Sequence, residues 1–133
     1  MSAENNPTPL QFSRVIDHIT QGEIKRGKSF GIHVFDETIH QIEELVKPAN
    51  EKGIWEAKLS MRHPRTNNWV KKTKSSTLFP ISWDSEKLHS KLLEAFTQAI
   101  LETSYKKVGK TSCGIEIVFI YQQGEITACY PLY

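Results

Sequence analysis

The chain has 133 residues and a mass of 15.3 kDa, enough for one domain with a buried core and too little for two. Its 38% apolar and 24% charged residues are ordinary for a globular protein, and no apolar run approaches the length of a membrane-spanning helix, so no membrane partner is expected. The 17 Lys and Arg against 15 Asp and Glu leave a formal charge of +2, which neither requires nor excludes a nucleic-acid partner. Basic residues gather at 25–28, 62–65, 71–74 and 106–110, and acidic ones within 36–56 and 84–102. Lysine-rich segments are most often solvated loops, although such segregation can give a nearly neutral molecule one basic face.

Residues 1–9 are polar, contain two prolines and read as a disordered lead-in or linker. No charged n-region followed by an apolar stretch opens the chain, so no signal peptide of its own is expected. Leu10, Phe12, Val15, Ile16 and Ile19 predict a short helix over 10–19. Gly22, Gly27 and Gly31 punctuate a basic stretch, 21–29, that reads as a loop; a short strand or turn over 30–35 then carries His33. Ile39, Ile42, Leu45 and Val46 stand at helical spacing and predict a second helix over 38–46, stopped by Pro48. The period then shortens: 54–61 reads as a strand, 63–68 as a turn, and 69–79 as its hairpin partner, ended by Pro80. Ser82 or Asp84 caps the longest predicted helix, which runs to about 104 with the stripe Leu88, Leu92, Phe96 and Ile100. A Lys/Gly loop and a last hairpin, 115–121 with 125–132 around Gln123 and Gly124, complete the pattern. This order argues an α+β fold, with N-terminal helices followed by two antiparallel sheet or hairpin units packed against helices.

Cys113 and Cys129 fit no metal spacing and fall in apolar strand patterns, so both read as reduced core residues of a protein that works in a cytosol. The 5 histidines include no helical i, i+4 pair and no Cys/His cluster, so no metal and no cofactor are expected. His40 and His89 fall in helix patterns as surface or interfacial side chains, and His63 precedes a proline in an exposed turn. His18 and His33 differ in context. The first ends a helix and the second follows Gly31-Ile32, with a Gly-rich basic loop between them. If the loop folds back, the imidazoles face one another, and two such groups suit a reaction that needs one base and one acid near neutral pH. RNA offers that reaction: one His takes the 2′-OH proton, the other protonates the leaving 5′-oxygen, and a lysine stabilises the charge that builds on phosphorus. On spacing alone, satisfied structural histidines remain the more common outcome.

A longer pattern surrounds the pair: His18-Ile19, Gly22 and Gly31-Ile32-His33; then Lys74-Ser75-Ser76-Thr77-Leu78-Phe79-Pro80-Ile81-Ser82-Trp83; then Gly114-Ile115-Glu116-Ile117, Gly124-Glu125-Ile126-Thr127 and Tyr130-Pro131. It resembles the bacterial branch of the EndoU endoribonucleases over residues 10–133, most specifically around 77–83. The Tyr-Pro near the end also resembles the close of the coronavirus uridylate-specific endoribonuclease. The resemblance implies a metal-independent enzyme that cuts single-stranded or loop RNA, with tRNA one candidate, and leaves a 2′,3′-cyclic phosphate. It implies His18 as general acid, His33 as general base and Lys74 as the catalytic lysine. Ser76, Thr77, Tyr130 and Lys72 would bind substrate, with Tyr130 stacking on a base or orienting His33. Lys72 shares the parity of Lys74 and Ser76 and hence one face of the predicted strand, so the choice of lysine, and of Ser76 or Thr77, stays open. Bacterial relatives are commonly toxin modules of contact-dependent inhibition or related polymorphic toxin systems, and Ala3-Glu4-Asn5-Asn6 resembles the Val-Glu-Asn-Asn peptide that borders such modules. The same likeness implies delivery from a larger secreted or surface protein, action in a target-cell cytoplasm, a cognate immunity protein, and a monomer apart from that complex. The alternative is a non-catalytic RNA- or protein-binding module on the same fold, which cuts no RNA whether or not His18 and His33 are present. A cysteine hydrolase and a metal-dependent nuclease are disfavoured by the buried cysteine patterns and the lack of a carboxylate cluster.

Overall fold

The computed structural model describes residues 9–122 and 125–133. The lead-in at 1–8 and the turn at Gln123 and Gly124 expected from the sequence lie outside the described residues, while Pro9 opens the first helix. Helix α1 (Pro9–Thr20) buries Val15 and Ile19 in a core shared with Ile126 and Cys129. Next comes a hairpin, β1 (Glu23–Lys25) with β2 (Lys28–Phe30), where a loop was expected. Arg26 and Gly27 both take positive φ, 52° and 77°, the type I′ geometry whose twist matches two flanking strands.

The helix expected over 38–46 is a strand, β3 (His40–Lys47), antiparallel to β4 (Trp55–Arg62). The misleading period has a physical origin. Ile42 pairs with Leu59 and Leu45 with Ala57, and the register shifts between Ile42 and Glu44 and again between Leu45 and Lys47. Each bulge inserts one residue, so same-face apolar positions fall three apart and imitate a helix. His40, expected on a helix surface, is buried: its Nδ1 accepts the Asp36 N–H at 3.0 Å and its Nε2–H donates to the Gln21 carbonyl at 2.9 Å. Burial holds its pKa below the ordinary value.

The expected hairpin partner at 69–79 is two short strands, β5 (Trp69–Lys71) and β6 (Ser76–Leu78), both antiparallel to β4. The chain leaves the sheet between them, so Lys72 and Lys74 do not share a strand face with Ser76. Helix α2 (Ser85–Thr97) starts at Asp84, whose carboxylate accepts the Lys87 N–H at 2.7 Å. It ends before the expected boundary. Ile100, the next member of its stripe, is 75% exposed on a new strand, β7 (Ile100–Thr103), which pairs with β8 (Lys106–Lys110) in place of the Lys/Gly loop. Gly109 lets β8 press against the end of α2, since a β-carbon there would lie 1.9 Å from the Ala95 carbonyl oxygen.

Strand β9 (Glu116–Gln122) and β10 (Glu125–Pro131) form the expected last hairpin and complete a sheet ordered β10-β9-β8-β7. Its inner face, with α1 and α2, holds the larger core around Phe79, Leu88, Leu92, Phe96 and Phe119. A second core lies on the β3-β4-β5 sheet around Ile32, Trp55, Ala57, Leu59 and Leu78. The fold is thus α+β with antiparallel sheets, and among the described residues one helix precedes the strands. Both cysteines are free, and Cys113 is exposed in a turn, whereas Cys129 is buried and burial raises its thiol pKa. Only the second matches the core assignment. No helix among the described residues is long and apolar enough to cross a membrane.

Candidate active site

A tight return at Gly31-Ile32 brings His33 back to the end of α1, which carries His18. Both residues of the return are left-handed, φ 81° and 66°, and Ile32 is fully buried, which holds it in a conformation unfavourable for a β-branched residue. The return lets the Ile32 N–H reach the His18 carbonyl at 3.3 Å, and the His33 and Val34 N–H groups share the Ile19 carbonyl at 2.5 and 3.0 Å. The His33 carbonyl accepts from Phe79 N–H at 2.8 Å. His33 is therefore strung between the end of α1 and the end of β6. Gly31 faces the other histidine: a β-carbon on it would stand 2.3 Å from the His18 carbonyl oxygen and 3.2 Å from His18 Nε2.

Hydrogen bonds fix the ring chemistry. His33 Nδ1 lies 2.6 Å from the Thr77 carbonyl oxygen, which can only accept. Nδ1 thus carries the hydrogen, and Nε2 is left as the basic nitrogen. His18 Nδ1 lies 2.8 Å from Glu23 Oε1, and Lys25 bonds the other carboxylate oxygen at 3.1 Å. These hydrogen bonds, that from His18 first, lower the Glu23 pKa and keep it an acceptor. The His33 pKa is pushed down to about 3, first by burial and then by the nearby positive charges of Lys72 and His18, against the opposing pull of the Thr77 carbonyl.

Beside His33 opens a cleft of about 680 Å³, lined among others by Lys72, Lys74, Thr77 and Tyr130. His18 does not line it and meets the site at Gly31. The two lysines are placed differently. Lys74 is exposed, whereas Lys72 is half-buried and donates to Ser76 Oγ at 2.6 Å. Burial and the neighbouring Lys74 push the Lys72 pKa down to about 8. Ser76 is fully buried, with its Oγ 3.5 Å from the Gly31 carbonyl. Tyr130 stacks on His33 with ring centroids 5.6 Å apart. Of the sequence-based candidates, His33, Lys72, Lys74, Thr77 and Tyr130 thus line one cleft, Ser76 braces Lys72 from outside the lining, Thr77 holds His33 through its backbone, and His18 stands apart at Gly31. Glu23 went unnoticed in the sequence, because its contact with His18 depends on a hairpin read as a loop. Among the described residues no three His, Cys, Asp or Glu side chains converge to hold a metal ion.

The chain matches the family model described as bacterial EndoU nuclease over residues 12–133. It is 31% identical over 125 residues to a protein named "Toxin" from Bacillus cereus, an alignment that takes in 87% of this chain but 22% of that protein. Its fold is similar to that of endoribonuclease Nsp15 encoded by Middle East Respiratory Syndrome Coronavirus, with a TM-score of 0.52 and 18% identity over 88% of this chain and 33% of the viral one.

Proposed function

The chain belongs to the bacterial EndoU nuclease family, and from that premise we propose that it is a metal-independent endoribonuclease cutting single-stranded or loop RNA, with tRNA a candidate target. One observation carries this reading: each imidazole has Nδ1 tied to an acceptor, which leaves Nε2 for proton transfer, and His33 shares its cleft with a half-buried ammonium. His33, neutral at working pH, takes the proton from a ribose 2′-OH through Nε2. The 2′-oxygen attacks the adjacent phosphorus, the P–O5′ bond breaks, and His18 gives a proton to the departing 5′-oxygen. The products are a 2′,3′-cyclic phosphate and a 5′-hydroxyl. Each proton transfer is worth roughly 10²- to 10⁴-fold. The nucleophile belongs to the substrate, so a metal is not needed to generate it.

Lys72 is the better choice than Lys74 for the third role. Its ammonium is held by Ser76 and partly withdrawn from water, where a charge acts more strongly on a developing phosphorane than it would in solvent. Thr77 and Tyr130 line the nucleotide pocket. The likeness to the Bacillus cereus protein named "Toxin" supports a further step: the domain is the toxic part of a larger secreted or surface protein, as in contact-dependent inhibition, and acts in the cytoplasm of a target cell. A cognate immunity protein then covers the cleft, and the domain is otherwise monomeric.

Incubation with total tRNA, with and without EDTA, followed by mapping of the new 3′ ends, tests the reading. Cleavage that persists in EDTA, ends in cyclic phosphate and disappears in His18→Ala and His33→Ala supports it. Cleavage abolished by EDTA, or ends that never carry the cyclic phosphate, overturns it.

A further inference from the structure

A second aromatic stands in the cleft apart from the catalytic group. Phe30 and Lys28 lie two apart on β2 and so share one face, and the alternation is visible in their exposure: both are exposed, while Ser29 between them is buried. Both line the same cleft as His33, together with Lys74. Among the described residues no carboxylate pairs with the Lys28 or Lys74 ammonium. Phe30 is 43% exposed and makes no ring contact among the described residues, whereas the ring of Tyr130 is already stacked on His33. An exposed phenyl on a lone surface position needs no explanation. One inside a cleft, flanked by two ammoniums that no described carboxylate pairs, is the combination that single-stranded nucleic acid exploits: bases stack on the ring while phosphates follow the cations.

Resting on the ribonuclease reading above, we infer that Phe30, with Lys28 and Lys74, forms a base-stacking subsite for a nucleotide flanking the scissile phosphodiester. The backbone between Phe30 and the chemistry is short and constrained. Only Gly31 and Ile32 separate Phe30 from His33, and both are locked in the left-handed return. A base on Phe30 would therefore hold the nucleotide next to the scissile one, with the same stacking energy before and during the reaction.

The test uses binding without cleavage. Short all-deoxy oligonucleotides, which lack the 2′-OH nucleophile, carry the fluorescent base 2-aminopurine at each position in turn. At one position the wild type quenches the fluorophore. Phe30→Leu, still apolar but without a π face, abolishes the quench and weakens binding roughly 5- to 150-fold, whereas Phe30→Trp retains both. Lys28→Ala lowers the slope of log affinity against log salt by about 0.7. On RNA the Phe30→Leu loss falls on KM and spares kcat. A wild type that quenches no position, or a Phe30→Leu that binds and quenches like the wild type, overturns the subsite. A chain that binds and quenches yet cuts no RNA would instead sink the ribonuclease reading and leave the subsite standing.

Discussion

Gly31→Ala should disable the enzyme while leaving it folded, because a single methyl group would enter the contact between the tight return that carries His33 and the His18 end of α1. At φ 81° an alanine is left-handed, at roughly 1–2 kcal/mol. Its β-carbon would sit 2.3 Å from the His18 carbonyl oxygen, where ordinary contacts begin at 3.4 Å, so the hairpin and the end of α1 must part by about 1 Å. That separation breaks the 3.3 Å bond from Ile32 N–H to the His18 carbonyl, adding about 1 kcal/mol. The total of about 2–3 kcal/mol lies below the stability of an ordinary domain. A displacement of about 1 Å between catalytic groups, by contrast, can cost about 100-fold in rate. Single-turnover cleavage of a fluorogenic RNA, run beside urea melts of both proteins, separates the two effects. A cooperative melt with a modestly lower midpoint and a rate down at least about 100-fold is expected. A variant within threefold of wild-type rate, or one inactive only because it no longer melts cooperatively, would mean that the close approach at Gly31 does not position the histidines.

The lysines are separable by a paired substitution. Lys72→Met should lower the cleavage rate by about 10²- to 10³-fold yet raise stability by about 1 kcal/mol, since it removes a cation whose folded pKa, about 8, lies below its ordinary 10.5; the gain is discounted from the full shift for solvent screening. Lys74→Met, at an exposed position, should change the rate at saturating RNA less than about fivefold, its loss falling on binding; the reverse order in the two assays would assign the proposed third role to Lys74. Acid should weaken the fold through His33: with the folded pKa near 3 against 6.5 unfolded, the unfolded chain takes up the proton first, so stability is full above about 6.5 and falls toward about 3 by up to ~1.4 kcal/mol per pH unit. A His33→Gln variant whose urea midpoint falls as steeply over that window would assign the loss to other groups. Leu92→Ala empties a fully buried position under α2 and should cost about 2–5 kcal/mol in urea melts, with kcat unchanged at temperatures where the protein stays folded.

What the sequence disclosed and what it concealed follow from the range of the interactions involved. Helix α1, strand β4, the cap at Asp84 and the last hairpin are written in local periodicity and turn chemistry, and they stand where that chemistry puts them. Strand β3 was misread because two bulges stretch its period, and the end of α2 because Ile100 continues an apolar stripe that the pairing of β7 with β8 interrupts. Both errors are cases of strand pairing, a long-range effect, overriding a short-range pattern. The same distinction runs through the site. The residue types of His18 and His33 suggested a base and an acid, but the return of His33 to the end of α1 depends on Gly31 and Ile32 holding positive φ. Lys72 and Lys74 looked alike on an unbroken strand; only the departure of the chain from the sheet between β5 and β6 buries one and leaves the other in solvent.

The costs concentrated at this cleft have a common sign. His33 is kept neutral in part by the charges of Lys72 and His18, and the Lys72 pKa is lowered in part by Lys74. No part of this stabilises the empty protein; like charges have been drawn together and partly stripped of water. An anion in the cleft reverses each electrostatic contribution, because a phosphate beside Lys72 offsets the repulsion felt by that ammonium and by a protonating His33. Both pKa values should therefore rise when a phosphodiester binds, which moves His33 toward the range where an imidazole accepts a proton effectively. Linkage then requires the converse: protonation of either group tightens anion binding. Titration of the His33 ring by 15N NMR, with and without a non-cleavable 2′-deoxy dinucleotide, measures this directly. An upward shift on binding is the expected outcome, together with a higher His33 pKa in unliganded Lys72→Met than in the unliganded wild type. An unchanged His33 pKa in the complex would mean that the bound phosphate is not electrostatically coupled to the base, and an unchanged one in Lys72→Met that the lysine is not.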